Sequence, residues 1–284
     1  MIKMIKYFLQ SVFVYFFFII GRIIGLNLSR KLFSNLFCVI APIFKSKKII
    51  KKNLKIFNKD ISKFEEDTII SNVWKNYGKT FIEYIFLDIF RREKSHIKIY
   101  GKEILDRIKR SKKPVVFISG HFSNFELMSM EITKNEIKLA TIYRPLNNYF
   151  LNPFMEYLRK KYICKYQIKK GIKGVREAIE FIKKNYSIAL MIDQRVSEGE
   201  KVEFFNRPAL TTTLPAQLAM KFNLSIIPVF IERDKNKFII KFHDEIRPFD
   251  FKDKIVLTKK LNNEIEKMIH KNPKEWIWSH NRWK

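Results

Sequence analysis

Cysteine is nearly missing from this chain: Cys38 and Cys164 stand far apart, without a C-x-x-C pair, among 284 residues. A disulfide scaffold and a thiolate zinc site are thereby excluded. Histidine is also sparse, and the five present never recur at i, i+4, which removes a zinc-protease helix. No other metal site and no cofactor is expected. Eight glycines and nine prolines leave nothing collagen-like or fibrous. Acidic residues number 28 against 56 Lys and Arg, a formal charge of +28.

What is present is a folded composition, 46% hydrophobic and 15% aromatic, unlike that of a disordered chain. The abundance of Lys, Ile, Asn, Phe and Tyr together explains part of the charge as compositional bias. The rest is a positive field that attracts phosphates, anionic lipid or an acidic protein. A nucleic-acid binder would interleave aromatics with Lys and Arg on its strands. Here the aromatics concentrate near the N-terminus and at the C-terminus, so no nucleic acid partner is expected.

The first 44 residues differ from the remainder. Tyr7 to Ile20 is apolar except for Gln10 and Ser11, and with Gly21 to Leu28 it reaches the ~20 residues of a spanning helix, interrupted by Arg22. A signal peptide and a buried helix are the rival readings. No small-x-small cleavage site follows, and apolar character resumes at Leu32 to Phe44, which favours a membrane anchor over 1–44. Arg22, Arg30, Lys31, Lys45, Lys47, Lys48, Lys51 and Lys52 outnumber Lys3 and Lys6, which places the following domain, 45–284, in the cytoplasm. The 45–55 cluster would lie against an anionic membrane surface, or simply be solvated.

Beyond residue 60 helical spacing of apolar residues predicts a helix over 63–90, and further helices over 124–134, 148–162, 175–184, 214–222 and 254–270. Buried strands are predicted at 115–119 and 187–192, with others at 225–231 and 238–242. Alternating strands and helices imply an α/β fold with a mixed, largely parallel central sheet flanked by helices.

In such sheets ligands bind beyond the carboxyl ends of strands, which singles out Gly120-His121-Phe122-Ser123-Asn124-Phe125-Glu126. On one continuous helix His121 and Glu126 would point ~140° apart. They meet only if His121 sits in the loop and Glu126 in the first helical turn. A carboxylate beside imidazole fixes its tautomer and supports the imidazolium, as a general base requires. Ser123 to Glu126 also fits S-x-x-E, a capping box, which would give Glu126 a purely structural task.

SGHFSNFEL, YRPLNNYFLNPFMEYLRKKY, ALMIDQ, FFNRPALTTTLPAQLAMKFNLSIIPVFIER and PKEWIWSHNRWK, in that order from about residue 45 onward, resemble the lipid A biosynthesis acyltransferases of Gram-negative inner membranes. The resemblance implies a glycerolipid-acyltransferase-like fold and an acyl-carrier-protein thioester as donor. It implies a hydroxyl of a 3-hydroxyacyl chain on a Kdo-bearing lipid A precursor as acceptor. The family's H-x4-D/E pair falls on His121 and Glu126, and further functional residues on Arg159 and Asp193. Arg159 would hold the oxyanion or an acceptor phosphate. Arg144 would pair with a lipid phosphate or serve as a helix-start salt bridge, and Asp193 would brace Arg159 or a nearby loop. The same chemistry on another glycolipid or a lysophospholipid is the alternative; the F-P-E-G-T string of the glycerol-phosphate branch is missing.

Overall fold

The computed structural model describes residues 2–44 and 47–284. Four helices open the chain, α1 (Ile2–Ile24), α2 (Leu26–Phe44), α3 (Lys47–Phe57) and α4 (Lys63–Glu83), followed by α5 (Leu87–Arg92). Next come β1 (Ile97–Tyr100), α6 (Lys102–Ser111), β2 (Val116–Ser119), α7 (Glu126–Lys134), β3 (Leu139–Tyr143) and α8 (Asn152–Leu158). The second half comprises β4 (Tyr166–Lys169), α9 (Ile172–Lys183), β5 (Ser187–Met191), β6 (Glu200–Phe204) and β7 (Arg207–Thr211). It ends with α10 (Leu214–Phe222), β8 (Ile226–Asp234), β9 (Lys237–Phe242) and α11 (Lys254–Lys271).

The main sheet has seven strands in the order β1-β9-β8-β2-β5-β3-β4. From β8 to β4 every neighbour is parallel; the one antiparallel pairing in this sheet is β8 with β9, and β1, parallel to β9, runs with it. The fold is therefore the mixed, largely parallel sheet flanked by helices that the alternation predicts. β2 lies near the middle and all four of its residues are buried, as a strand covered on both faces must be. Pro228 sits where β8 passes from pairing with β2 to pairing with β9, so its missing N–H breaks no regular ladder. The hairpin β6–β7 forms a separate small sheet.

The predicted helix over 63–90 divides into α4, a 3-10 turn at Tyr84–Phe86, and α5. Ser62 caps α4 by accepting the Glu65 amide. The predicted helix over 148–162 becomes α8 followed by a π-type turn, Arg159–Ile163.

The expected boundary between 44 and 45 adjoins residues 45 and 46, which lie outside the described residues, so the expectation for Lys45 falls outside them too. On its N-terminal side α2 packs closely on α4. A Cβ at Gly78 would overlap the Phe33 carbonyl, so only glycine permits the approach. Arg30 of α2 is buried rather than flanking a membrane: its Nε donates to Glu83 Oε1 at 2.6 Å. Arg233 of β8 donates to the same oxygen at 2.5 Å. Burial would raise the Glu83 carboxyl, but the two guanidinium groups outweigh it and hold it below the usual range.

Candidate active site

β2 and β5 are parallel neighbours, with Ser119 opposite Met191. Two residues beyond that pair stand His121 and Asp193, so strand register alone sets the imidazole beside the carboxylate. The loop between β2 and α7 is fastened on several sides. A Cβ at Gly120 would lie 2.7 Å from the Phe122 ring and 3.2 Å from Asp193 Oδ2. The Ser123 N–H donates to the Glu275 carbonyl at 3.2 Å, and the Ser123 carbonyl accepts from Thr80 Oγ1 at 3.0 Å. Asn124 Nδ2 donates to Glu83 Oε2 at 3.0 Å, which ties the loop to the buried Arg30–Glu83–Arg233 cluster.

His121 is 19% exposed and its Nδ1 lies 2.7 Å from Asp193 Oδ1. Asp193 Oδ2 accepts the His121 backbone N–H at 2.7 Å and the Trp276 indole N–H at 2.8 Å. Burial would push the Asp193 carboxyl up. The charge of the imidazole and these hydrogen bonds outweigh burial and hold it below the carboxylate range. An ionised acceptor at Nδ1 assigns that nitrogen the proton and leaves Nε2 as the acceptor nitrogen of the ring. Gln194 Nε2 stands 3.5 Å from that Nε2.

The carboxylate on the imidazole is thus Asp193, where sequence reasoning assigned Glu126. Glu126 opens α7, but its Oε1 accepts from Arg159 Nε at 2.8 Å and from the Tyr84 hydroxyl at 2.5 Å. Nor does the capping box form. Ser123 has φ 48°, a left-handed conformation, and its Oγ is buried without a partner among the described residues. Of the two tasks expected of Asp193, it does not brace Arg159, which is held by Glu126, but it does brace the nearby loop through the His121 N–H.

Arg159 begins the π-type turn after α8 and is 8% exposed. Its guanidinium lies 5.7 Å from the Tyr84 ring centroid and 5.5 Å from that of Tyr143. Burial would lower its pKa; the Glu126 carboxylate and Tyr84 raise it instead, so the cation is secure. Its Nη1 is buried with no acceptor among the described residues, an unspent donor. Arg144 stands apart, exposed in the loop after β3. Among the described residues no group of three or more His, Cys, Asp or Glu is placed to hold a metal.

Beside His121 opens a cavity of about 260 Å³. Phe37 of α2, Val73 and Phe81 of α4, Phe125 and Trp276 make its walls apolar, and Tyr84 joins it to the Glu126–Arg159 cluster. Tyr84, Trp276 and Gln194 were not foreseen as site residues. Only their common position, at strand ends or facing the loop, distinguishes them.

A family model of bacterial lipid A biosynthesis acyltransferases matches residues 1–284. The chain belongs to that family. Among lipid A biosynthesis acyltransferases it is similar to lipid A biosynthesis acyltransferase 2 of Shigella flexneri, 21% identical over 96% of this chain and 90% of the relative. A solved structure with a partial likeness is the 1-acyl-sn-glycerophosphate acyltransferase PlsC from Thermotoga maritima. It is 13% identical with a TM-score of 0.43, over 89% of this chain and 96% of that one. Family membership makes the chain an acyltransferase of lipid biosynthesis.

Proposed function

We propose that this enzyme moves a fatty acyl group from an acyl-carrier-protein thioester to the hydroxyl of a 3-hydroxyacyl chain on a Kdo-bearing lipid A precursor. The reaction takes place at the cytoplasmic face of the inner membrane. The observation that carries the reading is the His121–Asp193 pair opening on an apolar cavity, which joins a proton acceptor to a place for an aliphatic chain.

A secondary hydroxyl is a weak nucleophile at neutral pH. His121 Nε2 takes its proton as the oxygen attacks the thioester carbonyl, and Asp193 stabilises the imidazolium formed. When the tetrahedral intermediate collapses, the C–S bond breaks and the imidazolium returns the proton to the thiolate. No covalent enzyme intermediate is needed. A positioned base supplies ~10²–10⁴-fold, so the remaining acceleration comes from orientation and oxyanion stabilisation. The free Nη1 of Arg159 suits an oxyanion or an acceptor phosphate, with Glu126 and Tyr84 fixing the guanidinium. Exposed Arg144 suits an acceptor phosphate.

The acidic carrier protein and the polyanionic acceptor both match the basic surface. Lys51, Lys52, Lys55, Lys63 and Arg207 line a cleft of about 620 Å³. Membrane attachment is supported by α1, the one helix among the described residues long and apolar enough to cross a bilayer. α2, packed on α4, belongs with the catalytic body. In the decisive assay, membranes holding the protein receive radiolabelled precursor and carrier-protein thioesters of several chain lengths. Gain of one acyl chain is expected; no transfer from any donor rejects this donor and acceptor.

A further inference from the structure

The contacts of α1 divide it lengthwise. Towards the body it presents Tyr7, Ser11, Tyr15, Phe18 and Arg22, spaced by three or four residues and therefore on one helical face. The Tyr7 carbonyl accepts from Asn148 Nδ2 at 2.8 Å, and its ring meets Tyr149 at 6.0 Å between centroids. The Tyr15 hydroxyl donates to the Phe150 carbonyl at 2.9 Å. Phe18 packs on Phe81 at 5.0 Å, and Arg22 holds Asp88 at 2.8 Å. The opposite face carries Ile5, Val12, Phe13, Phe16, Ile19 and Ile23, each between 48% and 78% exposed.

Tyr7 and Arg22 are about 22 Å apart along the helix axis, at 1.5 Å per residue. A spanning helix must cross a hydrocarbon layer of ~30 Å. Were α1 to span, the loop 148–150 and the Arg22–Asp88 ion pair would be carried to levels about 22 Å apart along the membrane normal. Most of that interval is hydrocarbon, where lipid-exposed loop backbone is not tolerated. A helix fastened to a polar body at both ends and along its middle satisfies every contact only if it lies flat.

We infer that α1 does not cross the membrane but lies in the plane of one leaflet, between the catalytic body and the lipid. Its exposed apolar face sinks into the boundary between headgroups and acyl chains. Tyr149 and Phe150, 70% and 40% exposed beside its N-terminal half, extend the same surface with aromatic rings suited to that depth. Exposed Lys3 and Lys6 then face anionic headgroups on the cytoplasmic side, together with the rest of the chain. The covering partner is the bilayer, because six large apolar groups on one face, with Tyr149 and Phe150 beside them and cations next to them, match lipid in both parts of its chemistry.

The inference rests on the membrane reading above, and its test needs no catalysis. Full-length protein lacking Cys38 and Cys164 carries a single cysteine, Lys3→Cys in one variant and Lys183→Cys on the exposed end of α9 in another. Inverted inner-membrane vesicles, cytoplasmic face outward, are treated with a membrane-impermeant maleimide. Equal labelling of both positions is expected. Protection of the Lys3→Cys thiol in inverted vesicles, with labelling in spheroplasts, means that α1 spans and overturns the inference. Recovery of the protein from the soluble fraction, as a dimer or otherwise, overturns membrane attachment itself and is read separately. A Phe13→Asp, Phe16→Asp variant should leave the vesicle fraction at high salt while keeping its fold by circular dichroism.

Discussion

Asp193 holds His121 twice: Oδ1 meets the ring Nδ1 at 2.7 Å, and Oδ2 accepts the backbone N–H of the same residue at 2.7 Å. The carboxylate therefore fixes both the orientation of the imidazole and the strand end that presents it. The Trp276 indole, donating to Oδ2, fixes the carboxylate in turn. Nε2 is left as the acceptor nitrogen of a residue that lines the cavity, with the Gln194 amide 3.5 Å away.

Asp193→Asn keeps the shape and removes the charge that stabilises imidazolium. The expected result is a fall in kcat of about 10²–10⁴-fold with KM changed only a few-fold, read by steady-state kinetics. A variant with undiminished kcat would reduce Asp193 to a structural brace.

The same residue makes stability depend on acid. Its folded pKa lies below the ordinary aspartate value of ~3.9, so in acid the unfolded chain binds the extra proton. The stability it contributes is whole above about pH 4 and is lost as pH falls through the folded value. Chemical unfolding in detergent at pH values from ~3 to ~7 should show a shallower acid loss in Asp193→Asn than in the wild type. Parallel curves would deny the linkage.

Glu126→Gln strips a buried guanidinium of its carboxylate, and a destabilisation of ~3–5 kcal/mol is expected with loss of turnover. Replacing the pair together, Glu126→Leu with Arg159→Met, should restore most of the melting temperature. Activity should not return, because the free Nη1 donor is gone. Recovery of activity in the double variant would make the pair purely structural.

Phe37 closes the cavity from the α2 side. Phe37→Trp narrows it, so products should shift toward shorter acyl chains, with transfer of the longest accepted chain falling ~10-fold or more. Mass spectrometry of the lipid product reads this directly. An unchanged chain-length profile would place the acyl chain elsewhere.

The centre of the fold was legible because its strands are continuous apolar runs, VFIS and SIALM, which mark a sheet buried on both faces. The edge strands were not, nor was the interior strand β3, LATIY. IKIY and YQIK are four residues long and half-exposed, and short alternating runs with lysine carry little periodic signal. His121 announced itself by following a buried strand and a glycine. Its partner did not, because the spacing of Glu126 offered a carboxylate along the chain. The one that reaches the ring comes from 72 residues away, through strand order that local pattern does not encode. Arg30 misled for a related reason: next to an apolar segment it reads as a membrane-flanking cation, and only the arrival of Glu83 explains its burial.

The most direct test is the rate of acyl transfer by purified protein in lipid nanodiscs, with one carrier-protein thioester and one lipid A precursor, for wild type and His121→Ala. The predicted result is a loss of about 10²–10⁴-fold in kcat for a variant that melts like the wild type and still binds the acceptor. Transfer by His121→Ala within twofold of the wild-type rate would contradict general-base catalysis at this site.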